Sequence, residues 1–189
     1  ARGSKLVAVL RRNGTLAEDY ARRHGVPKWY DDADALICDK DVDAVYIATP
    51  PSSHKEYTLA VARAGKPVYV EKPMALNFSE CQEMIQACEM ANVLLFTAFY
   101  RRALPRFLKL KSLLDEDQIG TVRGVNLRFY QMPSEKDQKG LEQWRVDPAI
   151  AGGGYFVDLG SHMLDLLQYV LGPIRSVAGF SSNQGKLYE

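Results

Sequence analysis

The residue of this chain whose type and position most suit chemistry is a lysine at the end of a short apolar strand. An apolar run rich in β-branched residues spans Val68–Val70. Glu71 and Lys72 follow it, and Pro73 stops strand pairing because proline has no N–H to donate. In an open α/β sheet, ligands bind at the carboxyl ends of the strands. Lys72 is therefore either a working group at a ligand site or a solvated charge on the rim of the sheet.

A second constellation lies in a helical pattern farther along the chain. Asp158, His162 and Asp165 recur at spacings of four and three, which predicts that all three share one helix face. A carboxylate one turn from a histidine can set its tautomer and raise its basicity, as a general base requires. Three interpretations fit the spacing: an acid/base pair, a solvated polar face, or a metal site that lacks an obvious third ligand.

The strands and helices that position the lysine can be predicted from alternating sequence signals. Apolar runs predict strands over residues 6–10, 42–49, 68–70 and 93–99. Capping and stop signals predict helices over about 16–24, 31–38, 53–64 and 77–92. Strands apolar on both faces, alternating with helices, predict an α/β fold with a doubly wound parallel sheet.

The pattern changes near residues 99–101, where we place a domain boundary. It separates a domain over 1–99 from one over 100–189. In the second domain we predict a helix over 105–114, an alternating strand over 121–132, a helix over 155–171 and a strand over 174–181. A long alternating strand suits an antiparallel sheet with one open face. The apolar residues predicted to anchor the 155–171 helix in a core are Phe156, Leu159, Met163, Leu166, Leu167 and Val170.

Composition and charge argue against several classes of partner. The 189 residues carry 24 Lys+Arg against 23 Asp+Glu, a formal charge of +1, so nothing favours nucleic acid or an anionic membrane. No apolar run reaches the roughly 18 residues of a membrane span. The three cysteines show no CxxC spacing and are typical of reduced thiols. We expect a cytoplasmic protein.

Two motifs, taken together, resemble one family. Ala-Thr-Pro-Pro-Ser-Ser-His (48–54) is followed by Gly-Lys-Pro-Val-Tyr-Val-Glu-Lys-Pro (65–73), and Gly-Gly-Gly-Tyr-Phe-Val-Asp-Leu-Gly-Ser-His-Met-Leu-Asp occupies 152–165. Either motif alone is weak, but this order, with Phe-Tyr-Arg-Arg at 99–102 between them, is specific. From residue 6 to about 180 the chain resembles the glucose–fructose oxidoreductase, inositol dehydrogenase and rhizopine-catabolism (Gfo/Idh/MocA) family.

The resemblance implies a Rossmann-type domain followed by an α+β domain with a mostly antiparallel sheet. It also implies an NAD(P)-dependent oxidoreductase that transfers a hydride between the nicotinamide and a CH–OH or carbonyl group of a sugar, polyol or related molecule. A homodimer or higher homo-oligomer through the open face of the antiparallel sheet is expected.

The resemblance further implies roles for individual residues. Lys72 matches the lysine that touches the substrate hydroxyl and the nicotinamide ribose, His162 the histidine that exchanges the hydroxyl proton, and Asp158 the aspartate that completes the catalytic set. The residues expected to line the cofactor are Thr49, Pro50, His54 and Glu71. Expected substrate contacts are Arg101, Trp144, Arg145 and Asp165, with core packing as the alternative for Trp144.

Two departures from the family pattern concern the cofactor. No Gly-x-Gly-x-x-Gly fingerprint precedes residue 6, so we expect the chain to be part of a longer protein, with a naturally shortened relative as the alternative. Where an NAD enzyme places a carboxylate against the ribose 2′-hydroxyl, this chain has Arg11 and Arg12. Guanidinium groups fit a 2′-phosphate, which favours NADP over NAD; the alternative is that both arginines only face water.

Two other kinds of protein compete with the dehydrogenase interpretation. A non-catalytic binding or assembly protein of the same fold would account for the absent glycine fingerprint, although the retained Lys72, Asp158 and His162 argue against it. A metal-dependent lyase built on Asp158 and His162 is the third hypothesis.

Overall fold

The computed structural model describes residues 3–141 and 144–182 and divides the chain into two compact units. The first unit ends at Ala98 and the second begins at Phe99, beside the predicted boundary. Strands and helices alternate in the first unit, whereas the described part of the second is built from helical segments and extended chain.

Five short strands alternate with four helices in the described part of the first unit, and a 3₁₀ turn at Pro51–Ser53 precedes the third helix. The elements are β1 (Ala8–Leu10), α1 (Gly14–His24), β2 (Lys28–Tyr30), α2 (Ala33–Cys38), β3 (Val45–Ile47), α3 (His54–Arg63), β4 (Val68–Val70), α4 (Phe78–Met90) and β5 (Leu95–Thr97). The predicted strands and helices all occur. β2 was not predicted, because Lys28-Trp29-Tyr30 lacks the aliphatic run that marks the other four strands, which are equally short.

Every strand pair in the described residues is parallel. β1 pairs with β2, and β3, β4 and β5 form a second ladder in that order, so β4 is its central strand. Parallel neighbours need crossover connections, and here helices supply them. The predicted α/β class with a parallel sheet is confirmed.

One face of the β3–β4–β5 sheet holds the core of the first unit. Ile47, Val68 and Val70 are at most 4% exposed, and they pack in one cluster with Val61 of α3 and Met84 of α4. Burial of these branched side chains stabilises the sheet against the two helices. The predicted buried positions in β4 are therefore correct.

The opposite face of the same sheet carries a row of aromatic side chains. Tyr46, Tyr69 and Phe96 lie side by side in register and are all exposed within the unit. This second face is thus hydrophobic, as predicted, but it is exposed in the described part of the unit. An apolar pattern predicts that a face can be buried, but it does not identify the element that covers it.

Side-chain caps define the starts of α1 and α4. The Asn13 side chain accepts from the Leu16 N–H at 3.2 Å, so α1 starts two residues before the predicted position. Asparagine suits this cap because its oxygen satisfies a free helix N–H. Asn77 caps α4 by accepting from the Glu80 N–H at 3.0 Å.

The second unit contains mainly helical elements. They are a 3₁₀ turn (Tyr100–Ala103), α5 (Pro105–Asp115), α6 (Glu135–Gln138), α7 (Pro148–Ala151), a π-helical segment (Phe156–Gly160) and α8 (Ser161–Leu171). The predicted helix over 105–114 is confirmed. The one predicted over 155–171 is confirmed with a π-helical first part. In the described ranges, no helix has both the length and the apolar character that a membrane crossing requires.

The two strands predicted for the second unit form no ladder among the described residues. Residues 121–132 and 173–182 have no assigned strand, so the predicted antiparallel sheet is not formed within the described part of the chain. A strand depends on hydrogen bonds to a neighbour, and an alternating pattern specifies only which side chains share a face. The alternating pattern of residues 121–132 is present, but no described segment pairs with these residues as a neighbouring strand.

A polar network joins the start of β2 to the segment after α2. The Lys28 ammonium donates to Asp39 Oδ2 at 2.7 Å and to Asp41 Oδ2 at 2.7 Å. The Tyr30 hydroxyl donates to the same Asp39 oxygen at 2.8 Å. The pKa of the Asp39 carboxyl lies well below its usual range. The hydrogen bond from Lys28 is the largest cause, and the hydrogen bonds from the Asp41 N–H and from Tyr30 come next.

Asp39→Asn should make the free energy of unfolding of the first unit depend less on pH in the acidic range. A carboxyl whose pKa is lower in the folded state stabilises the fold above its unfolded pKa of about 3.9, and this contribution is lost as the pH falls below that value. The urea midpoint of Asp39→Asn should lie below that of the wild type at pH 7, and the gap should narrow between about pH 5 and about pH 2.5. Asp43→Asn, at an exposed position, is the matched control. A gap that stays constant over this range would contradict the assignment.

Candidate active site

Glu71 and Lys72 leave the central strand β4 at the carboxyl edge of the sheet, as predicted. The Glu71 N–H donates to the Ile47 carbonyl of β3 at 2.9 Å and continues the ladder one residue past β4. The peptide bond between Lys72 and Pro73 is cis, and the Lys72 side chain is half-buried. Lys72 thus lies at the sheet edge where parallel α/β proteins bind ligands.

The Glu71 carboxylate connects the neighbouring strand to the backbone of Lys72. The Tyr46 hydroxyl of β3 donates to Glu71 Oε1, and the Lys72 N–H donates to Glu71 Oε2 at 3.1 Å. The Tyr46 ring stacks on Tyr69, with 5.2 Å between ring centroids. Partial burial of its hydroxyl and the bond to Glu71 raise the pKa of Tyr46, so the phenol stays protonated and donates. Glu71 therefore fixes where the lysine backbone lies.

His54 ties together the loops that follow β3 and β4. Its ring is fully buried, with Nε2 2.8 Å from the Thr49 carbonyl oxygen and Nδ1 3.0 Å from the Pro73 carbonyl oxygen. Carbonyl oxygens only accept, so the imidazole donates in any hydrogen bond it makes to them. His54 shapes the loop from beneath; its ring is not exposed at the surface of this unit.

The Thr49–Pro50 loop is also held by Ser53. The Ser53 hydroxyl lies 2.8 Å from Thr49 Oγ1 and 3.0 Å from the Pro50 carbonyl oxygen. Together with the His54 bonds, these contacts place the loop after β3 beside the segment after β4. The structure thus brings the predicted residues Thr49, Pro50, His54, Glu71 and Lys72 to one edge of one sheet.

Arg11 and Arg12 lie at the carboxyl end of β1, in the other ladder. The Arg11 N–H donates to the Tyr30 carbonyl at 3.2 Å, and both side chains are exposed. No ion pair involves either arginine among residues 3–141 and 144–182. A Cβ at Gly14 would lie 2.9 Å from Asp31 Oδ2, so a carboxylate lies close to the first turn of α1.

In the second unit, the polar face of α8 is the buried one. His162 is 5% exposed and Asp165 is 9% exposed, whereas Phe156 is 74% exposed and Leu164 is 41% exposed. The interpretation of a solvated polar face is therefore wrong. The predicted anchoring of Phe156 in a core is also wrong within this unit, because the element that packs on this helix covers its polar side.

That element is the turn that opens the second unit. The rings of Phe99 and Tyr100 meet the His162 ring edge-on, with centroid distances of 6.1 and 5.4 Å. Arg102 Nε lies 3.0 Å from each oxygen of Asp165, and the carboxylate in turn raises the pKa of the guanidinium. Asp165 was expected to contact substrate, but both of its oxygens are bonded to Arg102.

The remaining predicted residues lie in the same unit. Arg145 Nε is 3.9 Å from Asp158 Oδ2, and its guanidinium lies 4.2 Å from the centre of the Trp144 ring. Arg101 Nη1 donates to Met163 Sδ at 3.2 Å. Within the described ranges, no group of three or more His, Cys, Asp or Glu side chains is arranged to hold a metal ion.

Three residues that hold predicted site residues in place were not themselves predicted from the sequence. Tyr46, Tyr100 and Arg102 each bond to or pack on a predicted site residue. Alternation in β3 gave a weak signal for Tyr46, since a tyrosine at an outward position of an apolar strand needs a partner for its hydroxyl. Nothing in the sequence distinguishes Arg102 from its neighbour Arg101, and only Arg101 was predicted to be a site residue.

Two family models match the chain. Residues 1–99 match the model described as "Oxidoreductase family, NAD-binding Rossmann fold", and residues 107–188 match the "GFO/IDH/MocA C-terminal domain". Oxidoreductase P35 of Formosa agariphila is 42% identical over 97% of this chain and 58% of its own length. The 1,5-anhydro-D-fructose reductase of Ensifer adhaerens is 33% identical over 98% of this chain and 56% of its own length. The chain spans about half the length of the curated relatives it matches.

Solved structures show the same fold. A levoglucosan dehydrogenase in complex with NADH and levoglucosan superposes with a TM-score of 0.77 at 31% identity, covering 88% of this chain and 45% of that one. An aldose-aldose oxidoreductase from Caulobacter crescentus, complexed with glycerol, gives a TM-score of 0.75 at 32% identity, covering 89% of this chain and 50% of that one.

Tyr46→Phe should loosen the backbone at Lys72 without altering the sheet. The change removes only the hydroxyl that donates to Glu71, so the carboxylate holds the Lys72 N–H less firmly. Loss of about 1 kcal/mol should speed hydrogen exchange of the Lys72 amide roughly fivefold, measured by NMR. Tyr69→Phe removes a hydroxyl from the stacked neighbour and should leave that amide unchanged. Equal exchange in the two variants would show that Tyr46 does not act through Glu71.

Proposed function

This chain belongs to the Gfo/Idh/MocA oxidoreductase family. From that membership we propose that it functions as a nicotinamide-dependent dehydrogenase or reductase that acts on a secondary alcohol or the matching ketone. The observation that carries the proposal is the position of Glu71-Lys72, which leaves the central strand of a parallel sheet at its carboxyl edge. The family matches over 1–99 and 107–188 support it.

We propose a cyclic polyol or anhydrosugar as the class of substrate. The relatives are named for reactions of 1,5-anhydro-D-fructose, levoglucosan and trans-1,2-dihydrobenzene-1,2-diol. These compounds share a ring with oxygen substituents on adjacent carbons. A hydroxyl next to a second oxygen function offers two polar groups to the protein, one to react and one to orient the ring.

Lys72 and His162 would divide the handling of charge and of the proton. When bound, the nicotinamide accepts a hydride from the carbinol carbon or returns one to the carbonyl carbon. The Lys72 ammonium stabilises negative charge that develops on the substrate oxygen, and the His162 imidazole takes up or returns the hydroxyl proton. Asp158, one turn before His162, supports the charged form of that ring. Arg101, Trp144 and Arg145 are proposed to contact the substrate.

The two guanidinium groups at the carboxyl end of β1 suit a dinucleotide that carries a 2′-phosphate. Arg11 and Arg12 are exposed and carry no ion pair among the described residues, so their guanidinium groups are available to a 2′-phosphate. Thr49, Pro50 and Glu71 would line the cofactor at the ends of β3 and β4, with His54 beneath them. NADP is thus the proposed cofactor, with NAD as the alternative that the NADH complexes of the related levoglucosan dehydrogenase favour.

We further propose a cytoplasmic homodimer. Val125, Leu127 and Phe129 alternate along the extended segment 121–132 and are each about half exposed. An apolar row of this kind is commonly covered by a second subunit. The free thiol of Cys38 is exposed, as is usual in a reducing compartment.

Lys72→Ala in the native protein should abolish most turnover. Loss of the ammonium removes the charge beside the reacting oxygen, so kcat should fall roughly a hundredfold or more in a steady-state assay with an anhydrosugar. Lys40→Ala, at an exposed position of the same unit, is the matched control and should keep full activity. Unchanged turnover in Lys72→Ala would refute the role of this lysine, whereas a native protein without turnover would favour the non-catalytic interpretation.

Arg11→Ala/Arg12→Ala should weaken NADPH binding and leave NADH binding nearly unchanged. Each guanidinium lost removes a charge-assisted hydrogen bond to the 2′-phosphate, so the Kd for NADPH should rise roughly tenfold or more in a fluorescence titration of the native protein. Arg22→Ala/Arg23→Ala removes the same charge from the last turn of α1, where both arginines pair with Asp19, and should change neither Kd. Equal loss of affinity for both cofactors would contradict the assignment.

A further inference from the structure

Four consecutive residues at the start of the second unit contact α8. Phe99 and Tyr100 meet the His162 ring, Arg101 donates to Met163, and Arg102 binds Asp165. The Arg102 guanidinium also lies 5.5 Å from the centre of the Tyr169 ring. The segment 99–102 is therefore a continuous clamp along two turns of the helix.

The ion pair is the directional part of this clamp. Arg102 presents Nε and Nη2 to the Asp165 carboxylate, with Nε 3.0 Å from both oxygens and Nη2 in contact with Oδ1. A planar guanidinium and a planar carboxylate joined in this way allow little rotation or sliding. The Asp165 side chain is only 7% exposed, so water competes poorly for it.

The aromatic contacts are what the ion pair holds in place. The Phe99 and Tyr100 rings stand at 81° and 78° to the imidazole plane, an edge-on arrangement that restrains the tilt of the His162 ring. Asp165 lies one helical turn after His162, and Arg102 lies two residues after Tyr100. The ion pair therefore fixes the separation between the helix turn that carries the imidazole and the chain that carries the aromatic rings.

We propose that Arg102 and Asp165 are positioning residues for His162. The pair keeps Tyr100 and Phe99 against the imidazole, and so sets the plane in which His162 meets a reacting hydroxyl. The proposal replaces the expected substrate contact of Asp165 with a contact to Arg102. It rests on the proposed proton-transfer role of His162 only in its consequence for catalysis, since the orientation of the ring can be measured without any reaction.

Side-chain NMR of the histidines tests the structural part directly on this chain. The chain has three histidines, and His24 and His54 lie in the first unit, where their ring signals serve as internal references. Arg102→Lys keeps the positive charge and removes the planar fork, whereas Asp165→Asn keeps the shape and removes the negative charge. Both variants should shift the His162 ring signals in the same direction, and the double variant should shift them no further than the larger single change.

Arg106→Lys is the matched control, because Arg106 lies on α5 in the same unit and its guanidinium is placed over Phe107. It should leave the His162 signals where they are. Thermal unfolding of each variant shows that the second unit is folded at the temperature of the NMR measurement. Additive shifts, or an unchanged His162 signal in Arg102→Lys, would overturn the proposal.

Steady-state kinetics of the native protein test the catalytic consequence. With a misoriented base, kcat should fall roughly tenfold in both Arg102→Lys and Asp165→Asn, with KM within about twofold of wild type. If Asp165 contacts the substrate instead, KM rises in Asp165→Asn while Arg102→Lys retains its kcat, and the proposal fails. A native protein that turns over no polyol or ketone refutes the proposed function, whereas the coupled NMR shifts would still support the positioning pair.

Discussion

Parallel strand pairing is the constraint on which the first unit depends. Because β3, β4 and β5 run in the same direction, their carboxyl ends meet at one edge, and residues distant in sequence become neighbours there. Tyr46 reaches Glu71, and the loop after β3 meets the segment after β4. An antiparallel arrangement of the same strands would place Lys72 and the Thr49–Pro50 loop at opposite ends of the sheet. The candidate ligand edge is thus a consequence of strand direction.

Buried polar side chains organise both units at the places where chemistry is proposed. A buried polar group must find a partner, since an unsatisfied one costs about 1–3 kcal/mol. His54 lies within hydrogen-bond distance of carbonyl groups from two loops, and Asp165 binds a guanidinium from the turn that opens the second unit. In each case the partner belongs to a segment that follows a strand. These side chains hold such segments in one arrangement, which purely apolar packing would not specify.

Features that depend on residues close in sequence could be predicted, whereas features that depend on distant contacts could not. Alternating strands and helices in the first unit, the position of Glu71-Lys72 and the helix over 105–114 could be predicted, because each depends on a short stretch of sequence. Strand β2 was missed because its three residues include no aliphatic side chain, unlike the equally short strands that were predicted. The interpretation of the α8 face as solvated was wrong because burial there depends on residues 99–102, which pack on it from about sixty positions away. Family models and related structures support the predicted α/β class and the oxidoreductase family.

By itself, the sequence determined the α/β class, the order of elements in the first unit and the two motifs that indicate the family. These properties follow from periodicity, capping and turn chemistry, which act between residues a few positions apart. The tertiary structure alone decided that Tyr46 holds Glu71, that Arg102 rather than Arg101 binds Asp165, and that the polar side of α8 is buried. Each of those outcomes depends on which distant surfaces meet, and a side chain of given type can bond equally well to several partners until packing brings one of them within reach.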